Sequence, residues 1–163
     1  LWNRQQMIER AREAITSVYL AHEAGALGDE AAKGIFPDLA EHLRKTFEEE
    51  KAKGASVQYR NFCVRKVEIT LVRNFPDKAQ DEYFVRVSMH AQRVMVEGAR
   101  TIIRDEYVTP FDEFCTMGRL DDQWKLKEIL PAEKGKRAMG EENIDAETGG
   151  QMVQWYYTKK RTV

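Results

Sequence analysis

The chain has 163 residues, 42% hydrophobic and 33% charged, with a formal net charge of -1 at pH 7. That size supports one domain with its own core, and the near-neutral balance supplies no bulk field for nucleic acid. No apolar run approaches the roughly 20 residues that a membrane-spanning helix requires. The chain begins at Leu1 rather than Met, as expected of a fragment or a processed product, and the absence of a signal or anchor in this stretch decides nothing about one.

Asn3 is placed to cap a helix, with Gln6 three residues on as its capping-box partner. Met7, Ile8, Ala11, Ile15, Val18 and Tyr19 then recur at helical spacing, and Gly25 supplies a natural stop. Trp2 lies just ahead of the cap. It is read either as a staple onto the first turns or, with Arg4, as a contact to a partner or membrane. A connector with one helical turn follows to Gly34. Pro37 then opens a second helix with an apolar stripe at Leu39, Leu43 and Phe47 and a solvated charged end before Gly54.

From Val57 the period changes to two. Val67, Ile69 and Leu71 form one half-buried face, and Phe62 and Val64 fall on the other parity, which requires a bulge near Arg65 and Lys66. Asn74, Pro76 and Asp77 mark a turn. In the next strand Tyr83, Val85, Val87, Met89 and Ala91 share a face opposite Arg86, Ser88, His90 and Gln92. Gly98 ends it, and Ile102 and Ile103 begin another extended piece. Residues 111–131 read as an antiparallel hairpin, with turn chemistry at Gly118 and Asp121-Asp122 and with Trp124 as a core anchor. The polar segment after Pro131 reads as a partly extended arm, so the expected division is a domain over 1–131 and an arm over 132–163. The arm carries Trp155, Tyr156 and Tyr157 followed by Lys159, Lys160 and Arg161; either the aromatic residues pack back on the domain while the basic ones stay solvated, or the group contacts an acidic membrane surface or a partner.

Helices followed by long antiparallel strands predict an α+β domain, with the N-terminal helices on one face of a curved sheet. Tyr83, Val85, Val87, Met89, Phe114 and Trp124 are the candidates for a concave cleft that takes an apolar ligand or is filled by its own side chains. Cys63 and Cys115 read as buried free thiols, and a disulfide between them requires neighbouring strands. His22, His42 and His90 lie in separate elements, so no metal or other cofactor is expected. No catalytic residue stands out. His90 and Tyr83 are seven apart on one strand and point to opposite faces, while Glu113 and Arg119 read as a cross-strand ion pair.

Phe111-x-Glu113-Phe114-Cys115-Thr116-Met117-x-Arg119, followed by Trp124-x-Leu126-x-x-Ile129, resembles the end of the Tim forty-four-like domain family. Pro37-x-Leu39-x-x-x-Leu43, Val67-Glu68-Ile69 and Val85-x-Val87-x-x-x-Ala91-Gln92 agree with it, and the resemblance spans most of residues 4–131. It departs from the family at Phe114-Cys115, where an aromatic followed by a Trp-like or Thr-Phe run is usual. The resemblance implies a nuclear-transport-factor-two-like cone around a hydrophobic pocket. It further implies attachment to an inner membrane and a role in protein translocation or as a scaffold.

The expectation is therefore a non-enzymatic, membrane-associated binding or scaffold domain. Its partner would be an acidic lipid surface or a membrane protein complex. Nucleic acid is not expected as a partner, and a homo-oligomer is compatible with the sequence. The alternative is a small-molecule-binding or isomerase- or dehydratase-like enzyme on the same fold.

Overall fold

The structure, a computed structural model, describes residues 2–141 and 144–145. Helix α1 (Arg4–Ala24) starts where the Asn3 side chain accepts a hydrogen bond from the Gln6 amide, and ends at Gly25 in the left-handed region. One turn, α2 (Asp29–Ala32), leads to α3 (Pro37–Ala52), which has proline at its first position as expected. Five antiparallel strands follow: β1 (Ala55–Asn74), β2 (Glu82–Glu97), β3 (Arg100–Arg104), β4 (Thr109–Leu120) and β5 (Gln123–Leu130). The short β6 (Ile144–Asp145) adds in parallel to the end of β1. The sheet order is β5-β4-β2-β1-β6, with β3 paired to the far end of β2. The architecture is α+β, with N-terminal helices packed on an antiparallel sheet.

Alternation assigns the two faces. Tyr83, Val85, Val87 and Met89 pair across to Met117, Cys115, Glu113 and Phe111 and share their face with them. Met7, Ala11, Ala14, Ile15 and Val18 of α1 pack against this face in one continuous core. The reverse face carries an ion ladder, in which Arg86 lies 3.3 Å from Glu68 and Arg73 lies 2.9 Å from Glu82. The predicted bulge is present between Val64 and Lys66, and β1 carries two more, after Arg60 and after Ile69. The bulge after Arg60 passes through Asn61 at positive φ and shifts the parity that follows. Cys63 consequently lies opposite His90 and is exposed, contrary to the expectation of two buried thiols. Cys115 is buried, and β2 separates the strands of the two free cysteines.

Two further expectations are corrected. Gly118 belongs to strand β4, not to the turn. A Cβ there would lie 2.9 Å from Phe36 Cζ, so the glycine seats the Phe36 ring. The turn is Asp121-Asp122 alone, with both residues at positive φ, as in a type I′ hairpin. Asp122→Gly removes the steric cost of that conformation and is expected to stabilise the fold by about 0.5–1 kcal/mol in urea unfolding. The segment after Pro131 begins not as an extended arm but as helix α4 (Ala132–Met139). Gly135 lies so close to Phe114 that an added Cβ would fall 2.2 Å from the Phe114 Cβ, and that closeness lets α4 lie on the sheet's outer face. The β5 edge is covered by residues 34–36, where the Phe36 amide donates to the Leu126 carbonyl at 2.8 Å and the Leu126 amide to the Gly34 carbonyl at 2.9 Å.

Candidate functional site

The predicted cleft residues are brought together, but as core. Tyr83, Val87 and Met89 are 0% exposed, and Val85 and Trp124 are nearly so. Helix α1 covers them, and the Tyr83 hydroxyl donates to the Met7 carbonyl at 2.7 Å. Burial raises the Tyr83 pKa well above the ordinary phenol value, so the hydroxyl remains a donor. Phe114 does not join this group. It pairs with Arg86, whose parity is that of the outer face, and sits under α4. Trp2, expected either to staple or to contact a partner, is buried with its ring 5.1 Å from Trp124. Burial removes Trp2 from any membrane or partner surface. Arg4 is exposed at the start of α1. Trp155, Tyr156, Tyr157, Lys159, Lys160 and Arg161 lie outside the described residues.

A polar network at the α1–sheet contact was not anticipated. Glu113 lies on the core face of β4, and the Tyr19 hydroxyl of α1 donates to its carboxylate at 2.5 Å. Burial raises the Glu113 pKa, and the bond from Tyr19 opposes that rise. Tyr19 itself is pushed well above the phenol range, first by burial and then by the neighbouring carboxylate. Around the pair stand Tyr59, Phe62 and Phe111, with ring centroids 4.8, 5.1 and 5.8 Å from that of Tyr19. One helical turn on, His22 Nε2 contacts Glu50 at 2.7 Å and Nδ1 contacts the Tyr59 hydroxyl at 2.8 Å. When Nε2 donates to Glu50, the neutral ring accepts from Tyr59 at Nδ1. Burial, then Glu50, pushes Tyr59 up to about 12. The network fastens α1 to β1, β4 and α3 and contains an acid that ionises reluctantly.

The predicted Glu113–Arg119 ion pair is absent because six residues of extended strand place the two roughly 20 Å apart. Glu113 meets Tyr19, while the Arg119 guanidinium stacks 4.8 Å from the Trp124 ring centroid. The sequence signal for the true pairing was a lone glutamate on the apolar parity of β4. A tyrosine on the apolar stripe of α1 completed it.

At the opposite end of β2, residues 100–108 present a different surface. Ile102, Tyr107 and Val108 are 49, 71 and 43% exposed. The exposed Arg100 and Arg104 flank Ile102. Ile102 is the extra residue of a bulge against β2, which turns the strand outward. Asp105 anchors the segment by accepting from the amide and Nε of Arg93, each at 2.9 Å. The segment is therefore tied to β2 at Asp105 while its apolar side chains face solvent.

Among the described residues no group of His, Cys, Asp and Glu is arranged to hold a metal, and no helix is long and apolar enough to cross a membrane. Comparison with known families and with curated proteins yields no match. Among solved structures, the chain is similar to the intermembrane-space region of the chloroplast protein ARC6, with a TM-score of 0.50 and 9% identity over 77% of this chain and 97% of that one. A de novo designed β-sheet protein aligns at a TM-score of 0.42 and 16% identity, over 77% of this chain and 87% of the design. At this identity, the likeness to the ARC6 region is one of fold alone.

Proposed function

We propose that the chain is a non-enzymatic binding or scaffold domain of the Tim forty-four-like kind, built as a nuclear-transport-factor-two-like cone and working at an inner-membrane surface or on a membrane protein complex. The observation that carries this reading is the 100–108 tip, where Ile102, Tyr107 and Val108 are exposed beside Arg100 and Arg104. Aromatic and aliphatic side chains suit the headgroup boundary, and each arginine near an anionic leaflet contributes about 1 kcal/mol. The interior supports the same reading. Its apolar face is filled by α1, so it serves stability while the outside is left for contacts. The near-neutral charge weighs against nucleic acid.

Liposome co-sedimentation tests the proposal. The chain is expected to pellet with phosphatidylglycerol vesicles more than with phosphatidylcholine vesicles. Tyr107→Ala with Val108→Ser is expected to reduce that binding several-fold without changing the unfolding midpoint. Equal partition into both lipids, or binding indifferent to the double substitution, would reject the tip as the contact. The isomerase- or dehydratase-like alternative has the Tyr19–Glu113 pair in its favour, since a raised carboxyl beside a phenol suits proton transfer. Against it, the rings of Tyr59, Phe62 and Phe111 already occupy the space around the Tyr19 ring.

A further inference from the structure

Arg119 occupies the end of β4 beside the Asp121-Asp122 turn. Its guanidinium lies over the Trp124 ring, 4.8 Å from the centroid, a stacked placement in which the N–H edges are directed away from the ring. Burial holds its pKa below the ordinary arginine value, and Asp122, Asp81 and Tyr83 oppose that shift without cancelling it. Arg10 approaches from α1. Its ion contact, Glu13 at 3.8 Å, is long and well exposed, and contacts of that kind hold a guanidinium weakly. Arg10 and Arg119 meet at the same end of the core. Together with Gln6, Asp122, Gln123 and Trp124 they line a hollow of about 160 Å³. A neighbouring hollow of about 380 Å³ shares Arg119 and Asp122 and extends to Lys78.

Two guanidinium groups against the single carboxylate of Asp122 leave the lining of this small hollow net positive, a charge that an entering anion balances. We infer that this hollow binds a phosphate ester that also carries a hydroxyl or ammonium group. Arg10 and Arg119 donate to the phosphate oxygens, and the amides of Gln6 and Gln123 add donors. Asp122, on the wall shared by the two hollows, accepts from the hydroxyl or ammonium. A phosphate group matches this donor set better than a carboxylate because it offers more oxygens to two guanidinium forks. The ester can be a soluble phosphomonoester or a phospholipid headgroup. The site is separate from the 100–108 tip. Gly118 pairs with Glu82 and Thr109 with Ala91, so the turn after Leu120 and the tip lie at opposite ends of β2.

Calorimetric titration of the full chain with glycerol 3-phosphate, inorganic phosphate and glycerol tests the inference, with Arg10→Gln and Arg119→Lys as variants. Arg10 is on an exposed helix face, and lysine at position 119 keeps the charge while losing the planar fork. Circular dichroism melting confirms that each variant folds. The expected result is saturable binding of glycerol 3-phosphate, tighter than that of inorganic phosphate and at least tenfold weaker in each variant, with no heat from glycerol. Absence of saturable binding by the unaltered chain, or binding by both variants as tight as by the unaltered chain, would overturn the site. Phosphatidylglycerol vesicles form the second arm. If both variants also lose vesicle binding, the headgroup is the source of the ester. If only the soluble ester is affected, the free phosphomonoester is the source, and the membrane reading then stands or falls with Tyr107 and Val108.

Discussion

Trp124→Ala is expected to lower the unfolding free energy by about 3–5 kcal/mol, the usual range for emptying a buried aromatic site. The ring is 3% exposed and meets Tyr83 edge-on at 4.8 Å, Trp2 at 5.1 Å and the Arg119 guanidinium at 4.8 Å. Alanine leaves Trp2, Tyr83 at the start of β2 and Arg119 near the end of β4 without their common neighbour. A domain of this kind has about 5–15 kcal/mol in total, so the loss takes a large share. Urea unfolding followed by fluorescence or circular dichroism measures it. Trp124→Phe is expected to recover more than half. A loss below about 1 kcal/mol for the alanine variant would contradict the placement of Trp124 at the centre of the core.

The second large effect belongs to the Tyr19–Glu113 pair and is linked to pH. Tyr19→Phe removes a hydrogen bond to a carboxylate, a change that costs about 1.5–3 kcal/mol where the acid is ionised. The folded-state pKa of Glu113 is raised above its ordinary value. Below the ordinary carboxylate range both folded and unfolded chains hold the proton, and the group exerts no penalty. As pH rises, the unfolded chain ionises first and stability falls; the penalty is complete once pH passes the raised folded-state value. Tyr19→Phe removes the bond that opposed the rise, so the fall becomes larger and extends to higher pH. Glu113→Gln keeps an acceptor for Tyr19 and removes the titration. Its denaturation midpoint is expected to lose this downward slope when measured between about pH 4 and pH 8. An unchanged slope in Glu113→Gln would assign the pH dependence to other groups.

Much of this arrangement is legible in the sequence because one face of most elements is wet. The alternation from Tyr83 to Ala91 is clear since the reverse face of β2 carries Arg86, Ser88 and His90. Helices α1 and α3 announce themselves by their caps, stripes and stops. Strand β4 is different. Phe114, Cys115, Thr116 and Met117 are all buried, because α4 and Phe36 cover the outer face while α1 covers the inner one. A run buried on both faces has no period to read, so Phe114 was assigned to the wrong side. Helix α4 escaped because its contact residue is Gly135. Glycine reads locally as a breaker, and only the shape of Phe114 explains it. Gly118 misled in the same way, as a turn residue in the reading and a seat for Phe36 in the fold. The Tyr19–Glu113 pair joins the first helix to the fourth strand; each partner stands out as a polar group on an apolar face, but neither local sequence names the other.

The meeting of Trp2 with Trp124 also bears on how the chain is made. The apolar stripe of α1 is completed only by β4 and β5, the last strands of the antiparallel set. During synthesis at about 5–20 residues per second, that stripe emerges well before β4 and β5, which complete its seat. A ribosome-bound chain ending before Gln123 therefore carries an amphipathic helix with part of its seat missing. That places the nascent helix among the segments a holding chaperone or a nearby lipid surface would occupy until the hairpin arrives. Contacts of such long sequence separation also make closure of the core a late and slow event in folding.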